Sequence, residues 1–141
     1  MKIYFLLLFF CAVTKSCTPE KQPPEPTLEL TGRWTWVESR FQTRGMPQPS
    51  ITTPDSTGIA MEVEFLAGQK LKLYHNNTLV NSQSYELWQT PGNPAYILEL
   101  GTRTIQPNLE EGPIYFTGDS ILHIAGGYND AGAGQTWRRI K

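Results

Sequence analysis

The sequence predicts an all-β domain: a small antiparallel up-and-down barrel of eight strands, or nine if the chain turns at Gly101. Apolar residues recur mostly with a period of two from Leu28 onward, which is typical of strands. Glycine, proline and asparagine separate these runs at short intervals, and no stretch of ten residues carries a helical apolar stripe. Closing such a meander into a barrel removes its exposed edges, while a sandwich of the same strands stays the alternative.

The clearest local pattern is a hairpin over residues 59–66 and 69–75, which follows a first strand that opens at Gly32. Met61, Val63 and Phe65 alternate with polar or charged residues, so one face of the hairpin is expected to be buried. We expect cross-strand charge pairs worth a few tenths of a kcal/mol each, namely Glu62 and Glu64 with Lys70 and Lys72.

The later strands are shorter or less regular. Asn76 and Asn77 predict a tight turn, because asparagine tolerates positive φ, and residues 78–88 follow as a strand. One face of that strand mixes apolar and polar side chains, at Leu79, Asn81, Gln83, Tyr85 and Leu87. This mixture predicts a bulge or a partly wet interior. The remaining strands are expected at 95–100, 102–105, 114–117, 120–125 and 135–140, and the connection over 41–57 is expected to be the single long loop.

Residues 1–16 predict a lipoprotein export signal. Lys2 is followed by an apolar run over 3–13, which has the length of a secretory core and is too short to cross a bilayer of about 30 Å as a helix. The following VTKSC segment resembles a lipobox, in which the cysteine, here Cys17, receives diacylglycerol and acyl chains of the palmitate type. Lys15 departs from the small or apolar residue usual at its place. A single-pass anchor, or an incidental cysteine after an ordinary signal, stays the alternative.

Residues 17–27 are expected to form a tether. Four prolines lie among residues 18–26 with no aliphatic residue, which favours an extended polyproline-like spacer, although a proline-rich ligand for a partner groove is the alternative. Signal 1–16, lipidated Cys17 with its tether 17–27, and folded domain 28–141 therefore predict an outer-membrane lipoprotein of the cell envelope, bound to the membrane through its N-terminal lipid.

Charge and cysteine content exclude several function classes. Removing Lys2 and Lys15 with the signal leaves 10 basic and 13 acidic residues, so no nucleic-acid partner is expected. Both cysteines lie within residues 1–17, so the domain is expected to have no disulfide and no thiol site.

The sequence predicts no enzyme, no cofactor and no metal site. His75 and His123 belong to different predicted strands, without a carboxylate cluster beside them. Asp130 is a single carboxylate in a glycine-rich loop, too few for calcium. Glu110 and Glu111 are read as a solvated loop, the alternative being half of a catalytic carboxylate pair. No nucleophile elbow or phosphate-binding glycine motif is present.

Several segments together resemble the lipocalin superfamily, whose first strand begins Gly-x-Trp and whose closing part supplies an arginine that packs over that tryptophan. The closer resemblance is to small lipocalin-like lipoproteins of Gram-negative bacteria. The matching pieces after the lipobox and linker are GRWTW at 32–36, TPDSTG at 53–58, the hairpin over 62–74 and WRR at 137–139. The resemblance spans roughly 28–141.

The resemblance implies a closed barrel in which Gly32, Trp34 and Arg139 form a structural closure. Arg139 is preferred to Arg138 because it shares a strand face with Trp137, and its contact with the indole is worth about 1–2 kcal/mol. The resemblance also implies binding of a small apolar or amphipathic ligand, through residues that the sequence leaves unknown.

A second function stays open from the sequence. Short strands favour a barrel filled by its own side chains, or a shallow cup. The alternative to ligand binding is therefore an accessory or inhibitor module that docks on an envelope protein. Such a module would use an outer face or the 41–57 connection, which contains Met46 and Ile51.

Overall fold

The computed structural model describes residues 29–89, 91–93, 95–101, 109–126 and 132–141. These ranges contain nine antiparallel strands in one sheet and a single turn of helix. The strands are β1 (Gly32–Gln42), β2 (Ser50–Thr52), β3 (Met61–Leu66), β4 (Lys70–His75), β5 (Thr78–Gln89), β6 (Tyr96–Leu100), β7 (Gly112–Thr117), β8 (Ile121–Ala125) and β9 (Gly132–Arg139). The helix α1 (Pro54–Thr57) lies between β2 and β3. Within the described ranges, no helix has the length and apolar character needed to cross a membrane.

Strand β1 closes the sheet into a barrel. It pairs with β3 on one side and with β9 on the other, so β1 and β3 to β9 form an eight-stranded barrel in up-and-down order. The seam between β1 and β9 runs from Trp34 opposite Arg139 to Gln42 opposite Gly132, with a bulge between Trp36 and Glu38. The predicted fold class is confirmed.

One strand, β2, was not predicted and is not among the eight strands of the barrel. It pairs with residues 39–41 of β1, where Arg40 lies opposite Ile51. The prediction of one long loop over 41–57 was wrong, because this segment contains β2 and α1. The alternative ninth strand at 102–105 lies outside the described residues.

The segment 53–58 forms α1 because it caps itself. The hydroxyl of Thr53 accepts from the backbone N–H of Ser56, and the hydroxyl of Ser56 accepts from the backbone N–H of Thr53, which is a capping box. Pro54 stands at the first turn, where its missing N–H costs nothing. Gly58 ends the helix at φ 69°, a conformation that favours glycine.

The predicted hairpin is present as β3 and β4, but its glutamates contact other side chains than the predicted lysines. Glu64 lies opposite Lys72 in the register. Its carboxylate, however, accepts a hydrogen bond from the Tyr74 hydroxyl at 3.2 Å, and Glu62 pairs with Arg33 of β1 at 2.6 Å. The expected lysine partners are therefore replaced by a neighbouring tyrosine and by an arginine from the adjoining strand.

The barrel has two different ends. We call the end where β1 begins and β9 ends, plugged by Leu30, Trp34 and Arg139, the closed end. The opposite end, which carries the Asn76–Asn77 turn, residues 43–60 and Glu110, is called the far end. Aromatic and aliphatic side chains of the alternating strands fill the interior between them, among them Trp34, Trp36, Phe65, Leu71, Tyr85, Leu98, Ile114, Leu122 and Trp137.

Candidate functional site

The closed end is built around Trp34. Its ring is fully buried, packs 5.7 Å from that of Phe116, and donates from Nε1 to the Leu30 carbonyl at 2.9 Å. The guanidinium of Arg139 lies 4.4 Å above the ring centre. Arg139 also donates to the carbonyls of Glu29, Thr31 and Asp119.

Gly32, the third residue assigned to the closure, lies beside this pair. Gly32 has φ 130°, which strongly favours glycine, and a Cβ there would lie 3.4 Å from an Arg139 nitrogen. Arg138 is exposed on the outer face. Gly32, Trp34 and Arg139 thus form one structural cluster. In it the Arg139 guanidinium contacts the Trp34 ring and donates hydrogen bonds to backbone carbonyls. Cys17, the predicted lipidation site, lies outside the described residues.

The far end places polar side chains at inward strand positions. These are Ser39, His75, Asn81 and Gln135. Inside a barrel, such groups are costly unless they find hydrogen-bond partners. On the side formed by β1 and β9, these polar groups have hydrogen-bond partners. Trp36 Nε1 donates to Ser39 Oγ at 3.0 Å, and Gln135 Oε1 accepts from Trp137 Nε1 at 3.2 Å and from the Glu110 backbone at 2.9 Å.

On the side formed by β4 and β5, two buried nitrogens have no hydrogen-bond partner in the described part of the chain: His75 Nε2 and Asn81 Nδ2. Asn81 lies opposite Leu73, two residues from His75 on the same face, so the two side chains are diagonal neighbours across the strand pair. Leaving such a group unsatisfied costs about 1–3 kcal/mol. A bound ligand or an ordered water would satisfy such a group.

A bulge in β5 creates this arrangement. The register slips between Leu73 and Tyr74, so that Asn81 faces Leu73 while Tyr74 faces Leu79. The bulge confirms the prediction made from the mixed face of this strand. It also moves Leu79 off that face, because an extra residue reverses the alternation, and Leu79 is 50% exposed.

The segment before β7 covers part of the far end. Leu109 is buried, and Glu111 accepts a hydrogen bond from the Leu100 backbone at 3.0 Å. Glu110 and Glu111 lie in a loop, as the sequence predicted, but both are half-buried rather than fully solvated. Burial, and secondly repulsion by Glu111, raises the pKa of Glu110 above its usual value. Burial likewise raises the pKa of Tyr85, deeper in the barrel.

The two histidines lie on opposite faces of the sheet. His75 points inward at the far end, whereas His123 stacks on Tyr115 on the outer face. Across the described ranges, no three His, Cys, Asp or Glu side chains are grouped so that they could hold a metal ion. Asp130 lies outside those ranges.

Sequence reasoning placed His75 at the end of a predicted strand, beside the turn, and did not identify it as a site residue. Its period-two alignment with Leu71 and Leu73 was the available signal for an inward position. Asn81 was noticed as an inward polar residue, but its lack of a partner depends on the bulge. A scan against protein-family models and searches of curated proteins and of solved structures found no match.

Proposed function

We propose that this protein is a lipid-anchored lipoprotein of the bacterial outer membrane, whose lipocalin-like barrel binds a small amphipathic ligand at the far end. The observation that supports binding is the pair of buried, unpartnered nitrogens on His75 and Asn81. A ligand that bonds to both nitrogens removes the cost of leaving them unpaired, and burial strengthens each hydrogen bond.

The two nitrogens define the polar part of the ligand. Asn81 Nδ2 can only donate, so the ligand presents an acceptor to it. His75 Nε2 donates or accepts according to its tautomer. A hydroxyl or carboxyl group meets both requirements, because its oxygens accept and its protonated form also donates.

The rest of the barrel limits the size of the ligand. Trp36, Tyr85 and Trp137 are buried in the interior beyond the polar groups, and an eight-stranded barrel is just wide enough for its own side chains or one small ligand. Binding is therefore shallow. At the rim, Phe41 is on the same strand face as Ser39 and is 48% exposed, which provides an apolar surface for the tail of the ligand.

Binding is tested by isothermal titration calorimetry with dodecanoic acid and dodecanol, below the concentrations at which they aggregate. We expect saturable binding of at least one probe, weakened about tenfold or more by Asn81→Leu or His75→Leu, since each removes one buried hydrogen bond. Ser82→Ala, at the outward position next to Asn81, is the control and should keep wild-type affinity.

Failure of both probes to bind, or equal binding by all variants, would remove the ligand hypothesis. The docking module would then be favoured, and one observation already supports it. Phe41 of β1, Met46 of the following loop and Ile51 of β2 are 48%, 37% and 49% exposed. A partner that docks on this part of the chain would cover apolar surface.

The anchor is supported by the sequence and by the point where the folded domain begins. Arg139 donates to the carbonyl of Glu29, the first described residue, at the closed end of the barrel. An anchor at Cys17 would thus join the domain at its closed end, opposite the candidate ligand site. No catalytic role is proposed.

Acylation is tested by labelling a Gram-negative host with an alkyne-bearing palmitate analogue. The full-length chain should be labelled and recovered with the membranes, while Cys17→Ser should lose both label and membrane attachment. Cys11→Ser is the matched control and should behave like the wild type. Label retained in Cys17→Ser would contradict the anchor.

A further inference from the structure

A second concave surface lies on the outer face of the barrel, away from the candidate ligand site. Outward-facing residues of β1, β7, β8 and β9 border a groove of about 500 Å³, which is within the range of small-ligand pockets. The register brings one row of side chains together across four strands: Glu38, Thr136, His123 and Tyr115.

One wall of the groove is aromatic. The rings of Tyr115 and His123 stack with centres 4.6 Å apart and planes 15° from parallel. His123 is held in place from both sides, because Nε2 lies 3.0 Å from Thr117 Oγ1 and Nδ1 lies 3.5 Å from Thr136 Oγ1. Tyr115 is nevertheless 56% exposed, the largest exposure among the large apolar and aromatic residues of the described chain. The wall therefore contacts neighbouring hydroxyl groups and is accessible to a ligand.

The opposite wall is a charge pair. Arg40 donates from Nε to Glu38 Oε1 at 2.6 Å, on neighbouring outward positions of β1. The pair is internally neutral, yet the guanidinium has further N–H donors and the carboxylate further acceptor sites. A ligand thus meets hydrogen-bonding groups of both kinds without a net charge to balance.

The floor consists of small residues. Ala125 of β8 and Gly134 of β9 lie side by side in the register, in the row next to the aromatic pair. Gly134 has little room for a side chain, because a Cβ there would lie 3.3 Å from the Ile124 carbonyl. Small residues on two adjacent strands leave the space between the walls open and flat.

We propose that this outer groove binds a neutral saccharide. The C–H face of a sugar ring is apolar and packs on an aromatic ring. Its hydroxyls both donate and accept, which matches Glu38 as acceptor, Arg40 as donor and the Thr136 hydroxyl as either. An anionic or cationic ligand would find no unmatched charge in the Glu38–Arg40 pair. This inference rests neither on acylation nor on binding inside the barrel.

The test is a titration of the folded protein with maltotriose and with triacetylchitotriose, followed by ¹H–¹⁵N NMR. We expect saturable shifts at Tyr115, His123 and Gly134 with at least one trisaccharide. Tyr115→Ala removes the platform, and Ala125→Leu fills the floor while keeping every polar group. Each should weaken binding at least tenfold. Trp88→Ala removes another exposed aromatic residue, on β5, and should leave the affinity unchanged.

Because Tyr115 and Ala125 lie on the outer face, both variants should fold, and thermal unfolding of each confirms this independently of binding. The proposal is overturned if neither trisaccharide gives saturable shifts. It is also overturned if the shifts persist in both folded groove variants, or if Trp88→Ala loses affinity to the same degree.

Discussion

Replacing Trp34 by alanine should lower the free energy of unfolding by about 3–5 kcal/mol. The side chain is fully buried at the closed end, so its removal leaves a cavity bordered by Phe116 and loses the hydrogen bond to Leu30. It also leaves the Arg139 guanidinium without the ring beneath it. Urea unfolding followed by circular dichroism measures the change.

Trp88→Ala is the matched control for Trp34→Ala. Trp88 is 40% exposed and makes an outer-face hydrogen bond to Glu99 at 3.2 Å, so its loss should cost less than about 1 kcal/mol. Equal destabilisation by the two substitutions would mean that Trp34 does not plug the barrel.

Arg139→Met should lower the free energy of unfolding by about 2–3 kcal/mol. The methionine keeps an apolar contact with Trp34 but loses the cation–π attraction and three donors to backbone carbonyls. Arg139→Lys should recover only part of this, because a compact ammonium cannot match the planar fork that reaches separate carbonyls. The measurement is again urea unfolding.

Arg138→Met serves as the control for Arg139, since Arg138 is the adjacent, exposed position on β9. Its effect should stay within about 0.5 kcal/mol. A larger loss in Arg138→Met than in Arg139→Met would reverse the assignment of the closing arginine.

The strands with strict alternation could be predicted well. Met61, Val63 and Phe65 face the core as their period requires, and the turn at Asn76 and Asn77 has the positive φ values, 49° and 65°, that asparagine tolerates. These features follow from local chemistry alone. The closed barrel followed from the number of short strands and short connections.

The elements that the sequence did not predict depend on contacts between strands, which the local alternation of apolar and polar residues does not show. β2 is three residues long and exists because it pairs with the upper part of β1, so its own sequence carries little signal. The capping residues of α1 were visible at 53–58, but a single turn has no helical stripe. The outward orientation of Leu79 could be predicted only from the position of the bulge, and the sequence is compatible with a bulge at several residues.

The candidate site was predictable only in part. The resemblance to lipocalins implied an arginine over Trp34, strand parity only selected Arg139 rather than Arg138, and in the structure the Arg139 guanidinium lies over the Trp34 ring. The site at His75 and Asn81 depends on which polar groups lack partners, and that is settled by three-dimensional contacts. The outer groove likewise requires four strands to be aligned before Tyr115 and Arg40 face the same space.

The most direct measurement for ligand binding at the far end is a ¹H–¹⁵N NMR titration of the folded domain with dodecanoic acid. Binding at the far end predicts saturable shifts of the Asn81 side-chain amide and of the Met61 and His75 backbone amides. The Trp34 indole N–H at the closed end and the Tyr115 amide on the outer face should stay unchanged. Shifts confined to Trp34 or Tyr115, or no shift of the Asn81 side chain at saturation, would contradict it.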